Sequence, residues 1–446
     1  MLDPAVFKAY DVRGLYPSEV DEQGAYAVGR AFVEQFEPRR IAVGHDMRLS
    51  SPTMAEAARE GAADGGADVL DIGMVGTEML YFAVGELGLD GGVTVTASHN
   101  PKEYTGMKIV RRGALPVGVE SGLFDVRDRA LKSEWRHAER GEIAKEDIWD
   151  RFVDRVLSFV DPEAMSKLRV VVDAANGMAG TMLPPVLARL PQVEVVRCFF
   201  EPDGSFPNHE PNPLLPENRR FIVEKMREEG ADLGVAYDGD ADRCFFVDDQ
   251  CEFVPGDFTT ALFAEHILEK EPGGKVIYDV RASWAVAETI KRAGGIPLIN
   301  RVGHSFIKQR MRDEDAVFAG EVSAHYYFRD FSKADSGVIP FLLMLELIST
   351  RGKLSKLLAP FREHYFLTGE INTPVKDVAL KLQELKERFG PAGKVSHLDG
   401  LSVEADDWHF NVRPSNTEPL LRLNLEGLSE ELMERKRDEV LGVIRE

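Results

Sequence analysis

Short apolar runs alternate with longer amphipathic stretches across residues 1–361, and the same plan recurs three times. The first round has the strand RRIAVGHD (39–46), the helix SPTMAEAAREGAADGG (51–66) and the strands ADVLDIG (67–73) and GGVTV (91–95). The second has LRVVVDAANG (168–177), a helix TMLPPVLARL, strand VEVVRC, helix PENRRFIVEKMREEG and strand ADLGVAY (231–237). The third has GKVIYDV (274–280), helix SWAVAETIKRAGG, strand IPLIN, helix SFIKQRMRDE and strand AVFAG (316–320). Apolar strands alternating with helices predict mainly parallel sheets covered on both faces. From about residue 362 the pattern changes. Alternation in WHFNVR (408–413) and LLRLNLE (420–426) predicts half-exposed antiparallel strands, flanked by the helices DVALKLQELKERF and SEELMERKRDEVLGVIRE.

The pattern therefore predicts three similar α/β/α units with mixed, mainly parallel sheets and a C-terminal α+β domain. The boundaries fall at 1–146, 147–249, 250–361 and 362–446. A length of 446 residues alone suggests about three domains, at roughly 150 residues each. Each round ends with a strand emptying into a polar loop: TASHNP (96–101), DGDADR (238–243) and GEVSAH (320–325). A fourth polar loop, RPSNTEP (413–419), joins the two C-terminal strands. In open α/β sheets, ligands gather beyond the carboxyl ends of strands.

Charge narrows the partners. The net charge is −21, from 75 acidic and 54 basic side chains, and such a field repels nucleic acid and anionic membrane. An anionic substrate then needs a local basic pocket. Three cysteines cannot all pair, the N-terminus has Asp3 and Lys8 where a signal peptide needs an apolar run, and IPFLLMLELI is too short to span a bilayer. A cytoplasmic protein is expected, monomeric or a small homo-oligomer.

Asp238, Asp240 and Asp242 place hard oxygen ligands at alternate positions, which suits Mg²⁺ or Ca²⁺. An EF-hand is excluded, because Arg243 stands at the sixth position and Asp249 at the twelfth, and a strand precedes the loop. Three carboxylates so close repel one another unless cations neutralise them. Mg²⁺ commonly completes its shell with phosphate oxygen, so a phosphoryl group on Ser98, with His99 beside it, would supply the missing ligands. Arg413, Ser415, Asn416 and Thr417 have the composition of a phosphate cradle. Glu321, Ser323 and His325 suit recognition of sugar hydroxyls. No phosphate-loop, dinucleotide-fold, zincin or nucleophile-elbow motif occurs.

These loops, in this order, resemble the α-D-phosphohexomutases, most of all their phosphomannomutase/phosphoglucomutase branch. TASHNP is the most specific match: a given six-residue string arises by chance in such a chain with probability on the order of 10⁻⁵. AYDVRG (9–14), GHDMRLSSP (44–52), HNPKEYTGMKIV (99–110), VGHSFIK (302–308) and ADSGVIPFL (334–342) support it. The resemblance implies four domains around one cleft, a phosphorylated Ser98, and Mg²⁺ held by that group with Asp238, Asp240 and Asp242. It implies that Glu321 and Ser323 read the sugar, that the 413–417 residues hold the phosphate that is not reacting, and that Lys108 and His304 shuttle protons. Arg13 and Arg243 would support the phosphoserine loop.

The implied activity interconverts hexose 1- and 6-phosphates, mannose preferred and glucose second, through a hexose 1,6-bisphosphate that also primes the serine. A phosphatase with the same centre, or a sugar-phosphate binding protein without turnover, are the alternatives. Val322 and Ala324 depart from the common G-E-M-S-G-H loop, Thr105 from a frequent Asn and His45 from a frequent Arg. Arg281 stands where some members have a substrate-facing Lys, and Arg does not readily shuttle protons.

Overall fold

The computed structural model describes residues 2–415 and 420–446, and the apolar runs become strands where the pattern places them. The chain opens with β1 (Val12–Leu15), α1 (Glu22–Phe36), β2 (Arg40–His45), α2 (Ser51–Asp64), β3 (Asp68–Met74), α3 (Thr77–Glu86), β4 (Gly91–Val95), β5 (Tyr104–Arg111), β6 (Leu115–Pro116), α4 (Leu123–Lys132) and β7 (Ile143–Lys145). They build a seven-stranded sheet in the order β1-β5-β4-β2-β3-β7, with β6 on β5. Strands β4, β2, β3 and β7 are parallel, and every residue of β4 is buried, as a doubly covered strand requires. Ile41, Val43, Val93 and Val95 share one core with Val28, Phe32, Ala55 and Ala62 of the first two helices. The apolar pattern did not reveal β5. After Ser98 the chain turns back antiparallel to β4, and this sets Lys108 opposite Thr94.

Next come α5 (Trp149–Leu157), β8 (Leu168–Asp173), α6 (Ala179–Leu187), β9 (Val193–Cys198), α7 (Arg220–Glu229), β10 (Leu233–Tyr237) and β11 (Cys244–Val247). Their sheet runs β11-β10-β8-β9, parallel except for β11. Cys198, Cys244 and Cys251 are all free thiols.

The third round gives α8 (Gly256–Lys270), β12 (Lys275–Asp279), α9 (Trp284–Arg292), β13 (Ile296–Asn300), α10 (His304–Glu314) and β14 (Phe318–Gly320), with β13 and β14 both parallel to β12. Strands β15 (Tyr326–Phe328) and β16 (Ala334–Ser336) form an antiparallel pair before α11 (Val338–Arg351). Then follow α12 (Leu354–His364), β17 (Phe366–Leu367), β18 (Ile371–Pro374), α13 (Val378–Phe389), β19 (Lys394–Ser396), β20 (Leu401–Glu404), β21 (Trp408–Pro414), β22 (Leu420–Gly427) and α14 (Glu430–Arg445). The last sheet is antiparallel, β17-β22-β21-β20-β19, with β18 also on β22.

By internal contacts the chain forms two units: Met1–Phe253 with Ser323–Leu354, and Val254–Val322 with Ser355–Glu446. Among the described residues no helix is long and apolar enough to cross a membrane.

The last sheet differs from expectation in one respect. Trp408, Phe410, Val412, Leu421, Leu423 and Leu425 do face α13 and α14 in one apolar core. The polar face is covered as well, since Asn411, Asn424 and Glu426 are all buried. Those groups are satisfied in part within the second unit. Asn411 donates to the Asp399 carbonyl at 2.8 Å and to the Ser402 hydroxyl at 3.0 Å, and the Trp284 backbone N–H donates to Glu426 at 3.4 Å. A strand with buried polar residues on its second face reads, in sequence, like one facing water.

Helices α1 and α2 cross so closely that a Cβ on Gly61 would lie 2.1 Å from the Tyr26 carbonyl oxygen. Gly61→Ala gains about 1 kcal/mol of helix propensity, yet the backbone must shift to admit the methyl group, and overpacking costs about 1–3 kcal/mol. The expected outcome of urea denaturation is a net loss of stability; a gain would mean the helices are free to separate.

Candidate active site

Within the first unit, the carboxyl ends of β4 and β10 and the middle of β5 bring the charged residues together. Ser98 follows β4 with φ 49°, the left-handed region, which costs a residue other than glycine about 1–2 kcal/mol. Its backbone N–H donates to Thr96 Oγ1 at 2.9 Å. Its hydroxyl donates to Asp238 Oδ2 at 2.9 Å and lies 3.2 Å from His99 Nδ1. Burial, reinforced by Arg243 and Arg13, holds His99 well below the usual histidine range, so its ring is neutral and able to accept.

Asp238, Asp240 and Asp242 are at most 1% exposed, and an oxygen from each lies within 4.8 Å of the others. Burial and the charges of Asp242 and Asp240 push Asp238 well above the carboxylate range. Asp242 is held well below it, because Lys108 and His325 outweigh its burial. Lys108 Nζ donates to Asp240 Oδ2 at 2.7 Å and Asp242 Oδ2 at 2.6 Å. Burial opposes its charge, but those carboxylates outweigh burial and raise it well above the usual lysine range. Among the described residues, Asp240 Oδ1 and Asp242 Oδ1 accept no hydrogen bond although both are buried. An all-oxygen set with orphaned oxygens, beside a side-chain ammonium in the role of counter-ion, fits a hard divalent cation.

Arg243 and His325 complete this set. The Arg243 backbone N–H donates to Asp238 Oδ1 at 3.2 Å, and its Nε–H donates to His325 Nε2 at 3.2 Å. His325 Nδ1 lies 3.1 Å from Ser323 Oγ. Arg13 donates to Asn100 Oδ1 at 2.7 Å and pairs with Asp11, so it braces the serine loop from β1.

The sequence reading assigned no role to Arg48, which is 1% exposed. Its guanidinium donates to the carbonyls of Ser98 (2.7 Å), Asn100 (2.6 Å), Pro101 (2.8 Å) and Tyr104 (3.1 Å). Asp46 orients it, with Oδ2 3.4 Å from Arg48 Nε. The stretch GHDMRLSSP, beyond the carboxyl end of β2, is thus a clamp on the serine loop. A Cβ on Gly239 would lie 2.4 Å from the Ser98 carbonyl, so only glycine lets the metal loop come this close.

In the second unit, Arg281 makes a bidentate pair with Asp279, Nε to Oδ1 at 2.9 Å and Nη2 to Oδ2 at 2.8 Å. Burial opposes the Arg281 charge, but Asp279, Glu321 and Glu370 raise its pKa above the usual arginine range. A permanent cation there agrees with a binding role and not with proton transfer. Glu321 is 2% exposed and accepts from the Gly303 N–H at 3.1 Å, one residue before His304 opens α10. Arg413 and Arg422 face each other on β21 and β22, and Ser415 donates its backbone N–H to the Leu420 carbonyl at 3.0 Å. Glu370, also missed in the sequence, lies 3.1 Å from Arg413 and 3.0 Å from Arg422. Asn416 and Thr417 fall outside the described residues.

Four consecutive stretches match the domains of one family, described as phosphoglucomutase/phosphomannomutase: α/β/α domain I (residues 4–132), domain II (150–251), domain III (255–365) and the C-terminal domain (370–443). The chain belongs to the phosphoglucomutase/phosphomannomutase family. Among its relatives, a phosphomannomutase of Salmonella montevideo is 43% identical over 98% of both chains. A protein of Xanthomonas campestris pv. campestris named phosphohexose mutases is 44% identical over 98% of this chain and 99% of that one. A solved phosphoglucomutase/phosphomannomutase family protein from Burkholderia thailandensis superposes with a TM-score of 0.90 at 33% identity, covering 100% of this chain and 98% of that one.

The charge arrangement makes a prediction about metal affinity with opposite signs at two positions. Asp240→Asn removes a ligand and weakens Mg²⁺ binding by about 100-fold, while Lys108→Met removes a competing cation and tightens it by about tenfold. Calorimetric titration with Mg²⁺ checks both; weaker binding in Lys108→Met would contradict the assignment of Lys108 as counter-ion.

Proposed function

We propose that the protein is a phosphohexomutase that interconverts hexose 1-phosphates and hexose 6-phosphates, mannose phosphates before glucose phosphates, through phosphorylated Ser98. The observation that carries this reading is the 2.9 Å approach of Ser98 Oγ to Asp238 within a buried carboxylate triad. Relatives named phosphomannomutase, matched along almost the whole chain, support the reaction class.

In this reading the free hydroxyl of a hexose monophosphate attacks the phosphorus carried by Ser98. A sugar O–P bond forms, the Ser98 Oγ–P bond breaks, and the proton of the sugar hydroxyl passes by way of the proposed shuttles to Ser98 Oγ. The resulting 1,6-bisphosphate turns end for end and returns its other phosphoryl group to Ser98 Oγ, so no phosphate is lost. Mg²⁺, held by Asp238, Asp240, Asp242 and the phosphoryl group on Ser98, would neutralise charge on the group in flight.

Arg243 and Arg13 keep the loop and the metal aspartates in register, and His99 orients the Ser98 hydroxyl. His304 and Lys108 are the proposed proton shuttles. Glu321, Ser323 and His325 read ring hydroxyls. Arg281, Arg413, Ser415, Asn416 and Thr417 hold the phosphate that is not reacting. We also propose the boundaries 1–146, 147–249, 250–361 and 362–446 as functional divisions, each supplying one of the four polar loops, and a cytoplasmic setting.

Phosphorus NMR tests the reading. Mg²⁺-loaded protein primed with a trace of hexose 1,6-bisphosphate should convert mannose 1-phosphate and glucose 1-phosphate to their 6-phosphates without free phosphate. Steady growth of inorganic phosphate would mean a phosphatase, and no change with Ser98 phosphorylated would mean a binding protein. Ser98→Ala should lose nearly all turnover. Arg48→Lys should slow turnover by about 10²-fold, the scale expected for a nucleophile misplaced by about 1 Å, while KM stays within about threefold; unchanged turnover would remove Arg48 from the positioning of Ser98.

A further inference from the structure

Arg413 and Arg422 are directly opposed on β21 and β22. Like charges facing across an antiparallel pair repel unless an anion lies between them. Here the anion is internal. Glu370 Oε2 lies 3.1 Å from Arg413 Nη2 and 3.5 Å from Arg281 Nη1, and its Oε1 lies 3.0 Å from Arg422 Nη1. Three guanidinium groups thus converge on one carboxylate, itself held below the usual range because those arginines outweigh its burial. Arg413 Nε–H and Arg422 Nε–H are buried and donate to no partner among the described residues, so the cluster retains donor capacity beyond what Glu370 uses.

We propose that Glu370 is a positioning and tuning residue for the phosphate cradle: it pre-assembles the arginines and weakens their grip on phosphate. The inference rests on the phosphohexomutase reading. A bisphosphate that must detach, turn and rebind in every cycle sets an upper limit on useful affinity. Without Glu370, Arg413 and Arg422 would be unopposed beside the Asp279-paired Arg281, and such a cradle would bind it so firmly that release, rather than phosphoryl transfer, would limit turnover. Glu370 competes with the incoming phosphate for the same N–H groups, so each binding event exchanges one anion for another.

A purely structural role predicts a different kinetic pattern. Loss of a scaffold residue raises KM or lowers kcat/KM, because the arginines lose their arrangement. Loss of an opposing charge lowers KM and kcat together, because the bound ground states gain affinity that the transition state does not share and release slows.

The test compares wild type, Glu370→Gln and Glu370→Asp in the mutase assay, with calorimetric titration of glucose 1,6-bisphosphate and the rate at which labelled bisphosphate leaves the enzyme. In Glu370→Gln, KM and kcat are each expected to fall about tenfold, with kcat/KM within about threefold of wild type and bisphosphate leaving about tenfold more slowly. Glu370→Asp, which keeps the charge, is expected to stay within about threefold of wild type in every parameter. A raised or unchanged KM in Glu370→Gln, or an identical effect in Glu370→Asp, overturns the inference while leaving the mutase reading intact. A wild type that neither turns over hexose phosphates nor binds the bisphosphate overturns the mutase reading itself, and this inference with it.

Discussion

The arrangement of the first unit follows from mutual repulsion among three buried carboxylates. Asp238, Asp240 and Asp242 are removed from water by the strand that precedes them and by the loops around them. Isolated charges so buried are too costly to persist, and the group neutralises or acquires partners. Each partner comes from a different part of the chain. Lys108 arrives on β5, Arg243 and His325 from beyond β10 and β14, and the Thr77 hydroxyl donates to Asp240 from the start of α3. The convergence of these elements is therefore an electrostatic requirement as much as a packing result. It also explains why the β4–β5 hairpin matters: without the reversal after Ser98, no lysine would reach the aspartates.

Ser98 meets Asp238 from a left-handed backbone turn, and Arg48 holds that turn by gathering the carbonyls of Ser98, Asn100, Pro101 and Tyr104. A strained serine held by a buried cation is stored geometry, fixed before any ligand arrives.

Much of this was legible from the sequence, for a physical reason. Buried parallel strands are continuous apolar runs, and polar loops beyond their carboxyl ends are conspicuous against them, so TASHNP, DGDADR and GEVSAH stood out at once. The strand Tyr104–Arg111 did not, because its glycine and lysine interrupt the run and its meaning comes from pairing with β4. Arg48 was quoted within a matching stretch, yet its role lies in backbone carbonyls fifty and more residues away, and side-chain composition carries no trace of such partners. Glu370 escaped for a similar reason: a single acidic residue before an edge strand looks like an ordinary solvated charge until Arg281, Arg413 and Arg422 are seen to surround it. The polar face of the last sheet was misjudged because burial of Asn411 and Glu426 depends on neighbours that periodicity does not report.

The two charged centres follow one design with opposite signs. In the first, carboxylates meant for a cation are held by a lysine; in the second, arginines suited to an anion are held by a glutamate. A site built from like charges cannot stay assembled while empty unless something of the opposite sign occupies it. An internal side chain does this at high effective concentration and without leaving the protein. The ligand then exchanges with the resident group instead of organising the site from disorder, which lowers the reorganisation needed on binding and also caps the affinity. In the proposed reaction, whose intermediate must let go and turn around in each cycle, that cap is useful. A site optimised only for tight binding would have dispensed with both Lys108 and Glu370.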